Sequence, residues 1–319
     1  LALLGAALAA TGAGARVAWL GVGLMTAMAA RLGWLHWRQR PFRGAPAPAG
    51  EARLPRPSVW VWAIAAAGLP LALPFAARSL ASGQAPGALA IFNYAWKLVE
   101  LPLVLAVQLV GTLALGPISQ ALRGAGSVAE TAAPMRRGFA LAWTLACASA
   151  AGLAVAAPAL AHILFGWGRM QPEALQQVAE WGRLASWSLL PQALLTIGLA
   201  VLAAQGRMQG AVVAHAVGLG LLLAAGAREG ADLMVWLDAL WAAICVLVLS
   251  AIGPALRGWL PWRALGAAAL ALLAVHALLA WAGAPASLAW QLVAAIVAAL
   301  AVLAAAIAAS PDLRAALRR

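Results

Sequence analysis

The sequence predicts an all-α, polytopic transmembrane helix bundle, and three observations carry that prediction. Hydrophobic residues make up 65% of the 319-residue chain and charged residues 9%, with a mean hydropathy of +0.92. No soluble domain covers that much apolar side chain with so little polar surface. The apolar residues fall into runs near the roughly 20 that a helix needs to cross a bilayer. Arginines punctuate the runs instead of forming a patch, as in membrane loops, so the net charge of +12 does not point to nucleic acid.

In chain order the runs predict a partial helix at 1–11 and complete spans at 17–36, 58–79, 87–116, 137–164, 174–204, 209–226, 233–254, 263–282 and 287–309. That is nine complete spans and one stub. Pro70 and Pro74, Pro102, Pro158 and Pro191 fall inside spans, where neighbouring helices and local backbone adjustments can satisfy the freed carbonyls. Kinks are expected there. The alanine-rich runs suit small-residue helix packing. Trp34 and Trp37, Trp60 and Trp62, and Trp259 and Trp262 stand at run ends, where an interfacial belt is expected. The longest connection, RQRPFRGAPAPAGEARLPRP at 38–57, reads as a flexible cytoplasmic linker between two bundles of helices. Leu1 lies inside an apolar run without the basic segment and cleavage site of a signal peptide, so the chain reads as a fragment.

Sidedness follows from the arginines. One set of alternate connections, running from Arg38 to Arg319, holds fourteen; the other holds four, Arg16, Arg78, Arg169 and Arg228. The positive-inside bias places the richer set, and the C-terminus, in the cytoplasm. Cys147 and Cys245 sit in apolar runs without metal or redox spacing and read as small core residues, so neither disulfide nor metal site is expected. His36, His162, His215 and His276 are scattered, one per segment, and receive no role. The sequence has no Walker A loop, GxGxxG or HExxH, which excludes ATP hydrolysis and leaves no expectation of an enzyme or a cofactor.

One span is not uniformly apolar. IFNYAWKLVELPL at 91–103 holds Lys97, the only lysine, three residues before Glu100. At 100° per residue, Asn93, Lys97, Glu100, Val104 and Gln108 share a stripe roughly 80° wide. A charge at mid-bilayer costs at least about 2.5 kcal/mol and usually faces the bundle interior or a water-filled cavity. Lys97 and Glu100 are therefore either a structural ion pair or a cation held ready for an anionic substrate. Pro102 removes a backbone hydrogen bond less than one turn beyond Glu100 and is expected to bend the helix there.

The run SLASGQAPGALAIFNYAWKLVELPLVLAVQLVGTLALGPISQ resembles the eighth membrane helix of the MurJ/MviN lipid II flippase family, through Ala81, Ser82, Asn93, Tyr94, Ala95, Leu98, Pro102, Thr112, Pro117 and Ser119. Leu164, Phe165 and Gly168 resemble the family motif after its ninth helix. The resemblance implies a multidrug/oligosaccharidyl-lipid/polysaccharide exporter fold. In that register, 1–37 would be the last helices of a truncated first lobe and 38–57 the inter-lobe linker. Residues 58–257 would form the second six-helix lobe, and 258–319 two C-terminal helices with a cytoplasmic tail.

The implied function is flipping of undecaprenyl-pyrophosphate-linked peptidoglycan precursor, lipid II, to the outer leaflet of the bacterial cytoplasmic membrane by alternating access. Lys97, Glu100, Asn93 and Gln108 would bind substrate, while Tyr94, Pro102 and Pro117 would be structural members of the motif. The implied partners are lipid II and membrane lipids. The family usually carries arginine where Lys97 stands, and Ala77 falls near an acidic position associated with sodium in some members. The family's other essential basic residues lie on its first helices, upstream of Leu1. A flippase for another polyprenyl-linked glycan, and a non-transporting membrane scaffold with a degenerate site, are the alternative readings.

Overall fold

The computed structural model describes residues 13–39, 57–124, 128–167, 170–226 and 230–317, and every regular element in them is helical. The helices are α1 (Ala13–Gln39), α2 (Pro57–Ser82), α3 (Ala88–Pro102), α4 (Leu109–Arg123), α5 (Val128–Phe165), α6 (Pro172–Ala185) and α7 (Leu189–Ala204). They continue with α8 (Met208–Ala225), α9 (Ala231–Ile252), α10 (Leu256–Trp259), α11 (Trp262–Ala282), α12 (Leu288–Ala309) and α13 (Pro311–Leu317). Eight stretches among the described residues are long and apolar enough to cross a membrane, and they fall on the eight spans expected between 58 and 309. The span expected at 17–36 is helical as well, within α1. The stub at 1–11, most of the linker at 38–57 and Gly168 lie outside the described residues.

Two of the eight spans are composite. A π-helical segment, Leu103–Gln108, joins α3 to α4, and a 3-10 turn, Ser186–Ser188, joins α6 to α7. The π segment begins one residue after Pro102, whose ring nitrogen has no hydrogen to donate. Within it the backbone bonds lengthen in register, and Leu109 N–H reaches back five residues to Val104 O. At the second break the polar side chains bond within their own span. The Ser186 hydroxyl donates to Arg183 O and the Ser188 hydroxyl to Ala185 O, each at 2.7 Å, while Gln192 Nε2 donates to Ser188 Oγ at 3.0 Å. In hydrocarbon such internal pairing avoids the several kcal/mol cost of an orphaned polar group. Pro70, Pro74 and Pro158 lie inside helices that continue through them.

Within residues 56–319 the bundle is organised around α5. This helix is hidden on nearly all sides: Ala140, Ala142, Ala146, Cys147, Ala151 and Ala157 are each 0% exposed. It packs against α4, α6, α7, α11 and α12. Small side chains let backbones approach, which matters in a membrane where lipid tails are as apolar as leucine. A Cβ at Gly152 would lie 3.7 Å from Ala295 O on α12. The Trp143 indole N–H donates to Leu265 O on α11 at 3.0 Å. Cys147 and Cys245 are both buried free thiols, packed as small core residues.

The tryptophans at the run ends differ in exposure. Trp34, Trp37, Trp60 and Trp262 are more than half exposed, but Trp259 is 7% exposed, because short helix α10 folds back on α5 and buries its indole. The span expected to begin at 174 also differs from a uniformly apolar helix. Gln176, Gln177, Glu180 and Arg183 form an exposed polar face along α6, opposite buried Val178, Ala179, Trp181 and Gly182.

Gly182 is where α6 meets α3. A Cβ there would sit 2.7 Å from Leu98 Cδ1 and 3.6 Å from Ala95 O. Gly182→Val should therefore destabilise the detergent-solubilised protein by about 1–3 kcal/mol through overpacking. Gly220→Ala on α8, with nothing within 4 Å, should leave the melting temperature unchanged or raise it. Equal melting temperatures for wild type and Gly182→Val would show that the α3/α6 contact is looser than described.

Candidate functional site

The polar stripe lies on the composite span Ala88–Arg123, whose 36 residues measure about 54 Å as a helix. Lys97 Nζ donates to Glu100 Oε2 at 2.5 Å, and the pair sits at i,i+3 on one helix face. It is open to its surroundings, with the Lys97 side chain 59% exposed and that of Glu100 38%. Asn93, one turn earlier, is half-buried, and Gln108 is exposed. A full turn of π helix carries about one residue more than α helix, so Gln108 is set back by roughly 100° from its α register. In α register Gln108 would lie about 20° from Lys97, so the set-back moves it toward the Glu100 edge of the stripe, where it remains exposed. Farther on, exposed Thr112 donates its hydroxyl to Gln108 O at 2.9 Å.

Two parallel lines therefore run along the exposed face. Lys97, Glu100, Gln108 and Thr112 form the polar line, interrupted by Val104; Leu101, Leu105, Leu109 and Leu113, between 53% and 67% exposed, form the apolar one. Behind them the span is anchored by Phe92, Val99 and Val107, all 0% exposed. Gly111, where an added Cβ would collide with the Thr196 side chain, brings α4 close to α7. An exposed ammonium that faced hydrocarbon would carry a desolvation cost unless water or another polar surface lay beside it.

The remaining motif residues fall on either side of this line. Tyr94 is 38% exposed and its ring stands 4.6 Å from that of Phe165 at the end of α5, tilted by 46°. Pro102 is half-buried at the start of the π segment, and Pro117 is exposed within α4. Ala77 is fully buried on α2 and offers no ligand atom. Three of the histidines are placed by packing or exposure. His215 is buried with Nδ1 2.8 Å from Ala211 O, the His276 ring lies 4.6 Å from Trp187, and His162 is exposed.

The model of a protein family described as lipid II flippase MurJ matches residues 57–309. The chain belongs to the MurJ lipid II flippase family. No curated protein and no solved structure matches it. The matched region holds the whole polar line, and the family is one of flippases, not of enzymes. What the sequence did not disclose is the π segment: Pro102 signals a disturbance, but the i→i+5 register of Leu103–Gln108 has no residue signature of its own.

Exposed ion pairs contribute only about 0–1 kcal/mol. Lys97→Met and Glu100→Gln should each lower the stability of the purified protein by no more than about 1 kcal/mol in thermal unfolding. A loss of roughly 3–5 kcal/mol from either, the cost of an uncompensated buried charge, would show that the pair is enclosed.

Proposed function

We propose that this MurJ family member carries lipid II, an undecaprenyl-pyrophosphate-linked precursor, from the inner to the outer leaflet of the bacterial cytoplasmic membrane. The observation that carries this reading is an exposed lysine, held by a carboxylate, on a line of polar side chains within the family-matched region. Lys97 would meet the pyrophosphate as a point charge, with Glu100 holding its ammonium in place and Asn93 and Gln108 extending the polar track. Lys97 is the one cation of the span before Arg123 at its end, and a cation on this polar line suits an anionic headgroup better than a cationic or neutral cargo. Residues 58–257 would act as the second lobe of the alternating-access cycle, with 258–319 as two additional helices and a cytoplasmic tail. The arginine asymmetry supports a cytoplasmic C-terminus.

The π segment favours transport over a purely structural role for the stripe. A stretch of i→i+5 backbone beside the charged pair is a weak point at which one end of the span can turn against the other. Cells depleted of their own lipid II flippase and supplied with the full-length protein should grow, and Lys97→Arg should also support growth because it keeps the charge and adds a bidentate fork. Lys97→Ala should fail while still reaching the membrane, and Glu100→Gln should do less harm. Full growth with Lys97→Ala would remove the cation from the mechanism.

A further inference from the structure

At the end of the bundle where the 83–87 turn, the end of α5 and the start of α6 meet, a cleft of about 840 Å³ opens one turn from Lys97. Its walls have a specific chemistry. Tyr94 and Phe165, in ring contact, make one side. Trp167, 88% exposed, makes another, and its indole N–H already donates to Ile163 O at 2.6 Å, which leaves the ring face free for contact. Exposed Gln171, Glu173 and Gln177 face them from the start of α6, the last two at i,i+4 on one helix face. Among the described lining residues there is no cation.

Among the described residues, aromatic faces stand beside planar amides and a carboxylate without a positive charge, which suits a neutral ligand with apolar C–H faces and many hydroxyl or amide groups. Each glutamine supplies both donors and an acceptor, and the carboxylate accepts from hydroxyl or N–H. A saccharide meets that description, whereas a phosphate does not. The cleft's volume falls within the range of small-molecule sites. Tyr94 precedes Lys97 by three residues, so the cleft begins about 4.5 Å farther along the helix axis and on an adjacent face. In a lipid-linked glycan the sugar is bonded directly to the pyrophosphate, so a headgroup with its phosphates at Lys97 has its first sugar at the mouth of this cleft.

We propose that the cleft formed by Tyr94, Phe165, Trp167, Gln171, Glu173 and Gln177 is a saccharide subsite for the headgroup of the transported lipid. This inference rests on the flippase reading above and adds to it a second contact region, distinct from the cation. Because Trp167, Glu173 and Gln177 are exposed, replacing them removes ligand contacts without opening the core.

The test compares two probes on the purified full-length protein in detergent: undecaprenyl pyrophosphate, and lipid II, which carries a disaccharide-pentapeptide on the same pyrophosphate. Wild type should bind lipid II more tightly. The double variant Glu173→Ala/Gln177→Ala and, independently, Trp167→Leu should each weaken lipid II binding by about fivefold or more, the loss of roughly one net hydrogen bond or stacking contact. Both should leave undecaprenyl pyrophosphate binding unchanged, while Lys97→Ala weakens both probes. Equal wild-type affinity for the two probes, or variants that lose both to the same degree, would overturn the saccharide subsite and leave the flippase reading standing. Wild type that binds neither probe would overturn both.

Discussion

Close approach of helix backbones through small side chains is the constraint on which the rest of this bundle depends. Inside a bilayer, burying apolar surface against another helix gains little over burying it against lipid, so association rests on packing density. Helix α5 meets that condition by being alanine on nearly every face, and α4, α6, α7, α11 and α12 pack against it. Gly111, Gly152 and Gly182 extend the same solution to α4/α7, α5/α12 and α3/α6. Among the described residues of 56–319, the span Ala88–Arg123 is thereby held by one side only. Its other side is free to carry residues that packing would not tolerate.

That freedom explains why the charged pair and the leucines can share a helix. Lys97, Glu100, Gln108 and Thr112 occupy one line and Leu101, Leu105, Leu109 and Leu113 the next, so the span presents a polar and an apolar edge side by side. A substrate with an anionic head and a polyprenyl tail has the same division. The π segment shifts Gln108 toward the Glu100 edge of the stripe and places an irregular backbone beside the pair. At the neighbouring end of the span, the aromatic and amide-lined cleft offers contacts for the part of the headgroup that a cation cannot recognise.

Much of this was legible in the sequence, for identifiable reasons. Helix positions between 58 and 309 follow from apolar run length because in hydrocarbon the backbone has few alternatives to a helix. The polar stripe follows from helical periodicity, and the likeness to the MurJ/MviN family from the residues around Asn93, Tyr94 and Pro102. Other features have no local signature. The exposure of the Lys97–Glu100 pair depends on which helices pack behind it, and the burial of Trp259 on the fold-back of α10. The amphipathic start of α6 was hidden because the long apolar stretch after it dominates the average over 174–204. The cleft joins residues from α3, the end of α5 and the start of α6, which only tertiary structure brings together.

Water beside the polar line is tested most directly by single cysteines at Gln108, Leu109, Thr112 and Leu113, in a chain whose buried Cys147 and Cys245 are replaced by alanine. Reaction with a water-soluble maleimide in native membranes should modify the cysteines at 108 and 112, on the polar line, and spare those at 109 and 113, on the apolar one. Equal protection of all four would contradict a solvated transport face and leave Lys97–Glu100 as an ion pair of the membrane scaffold.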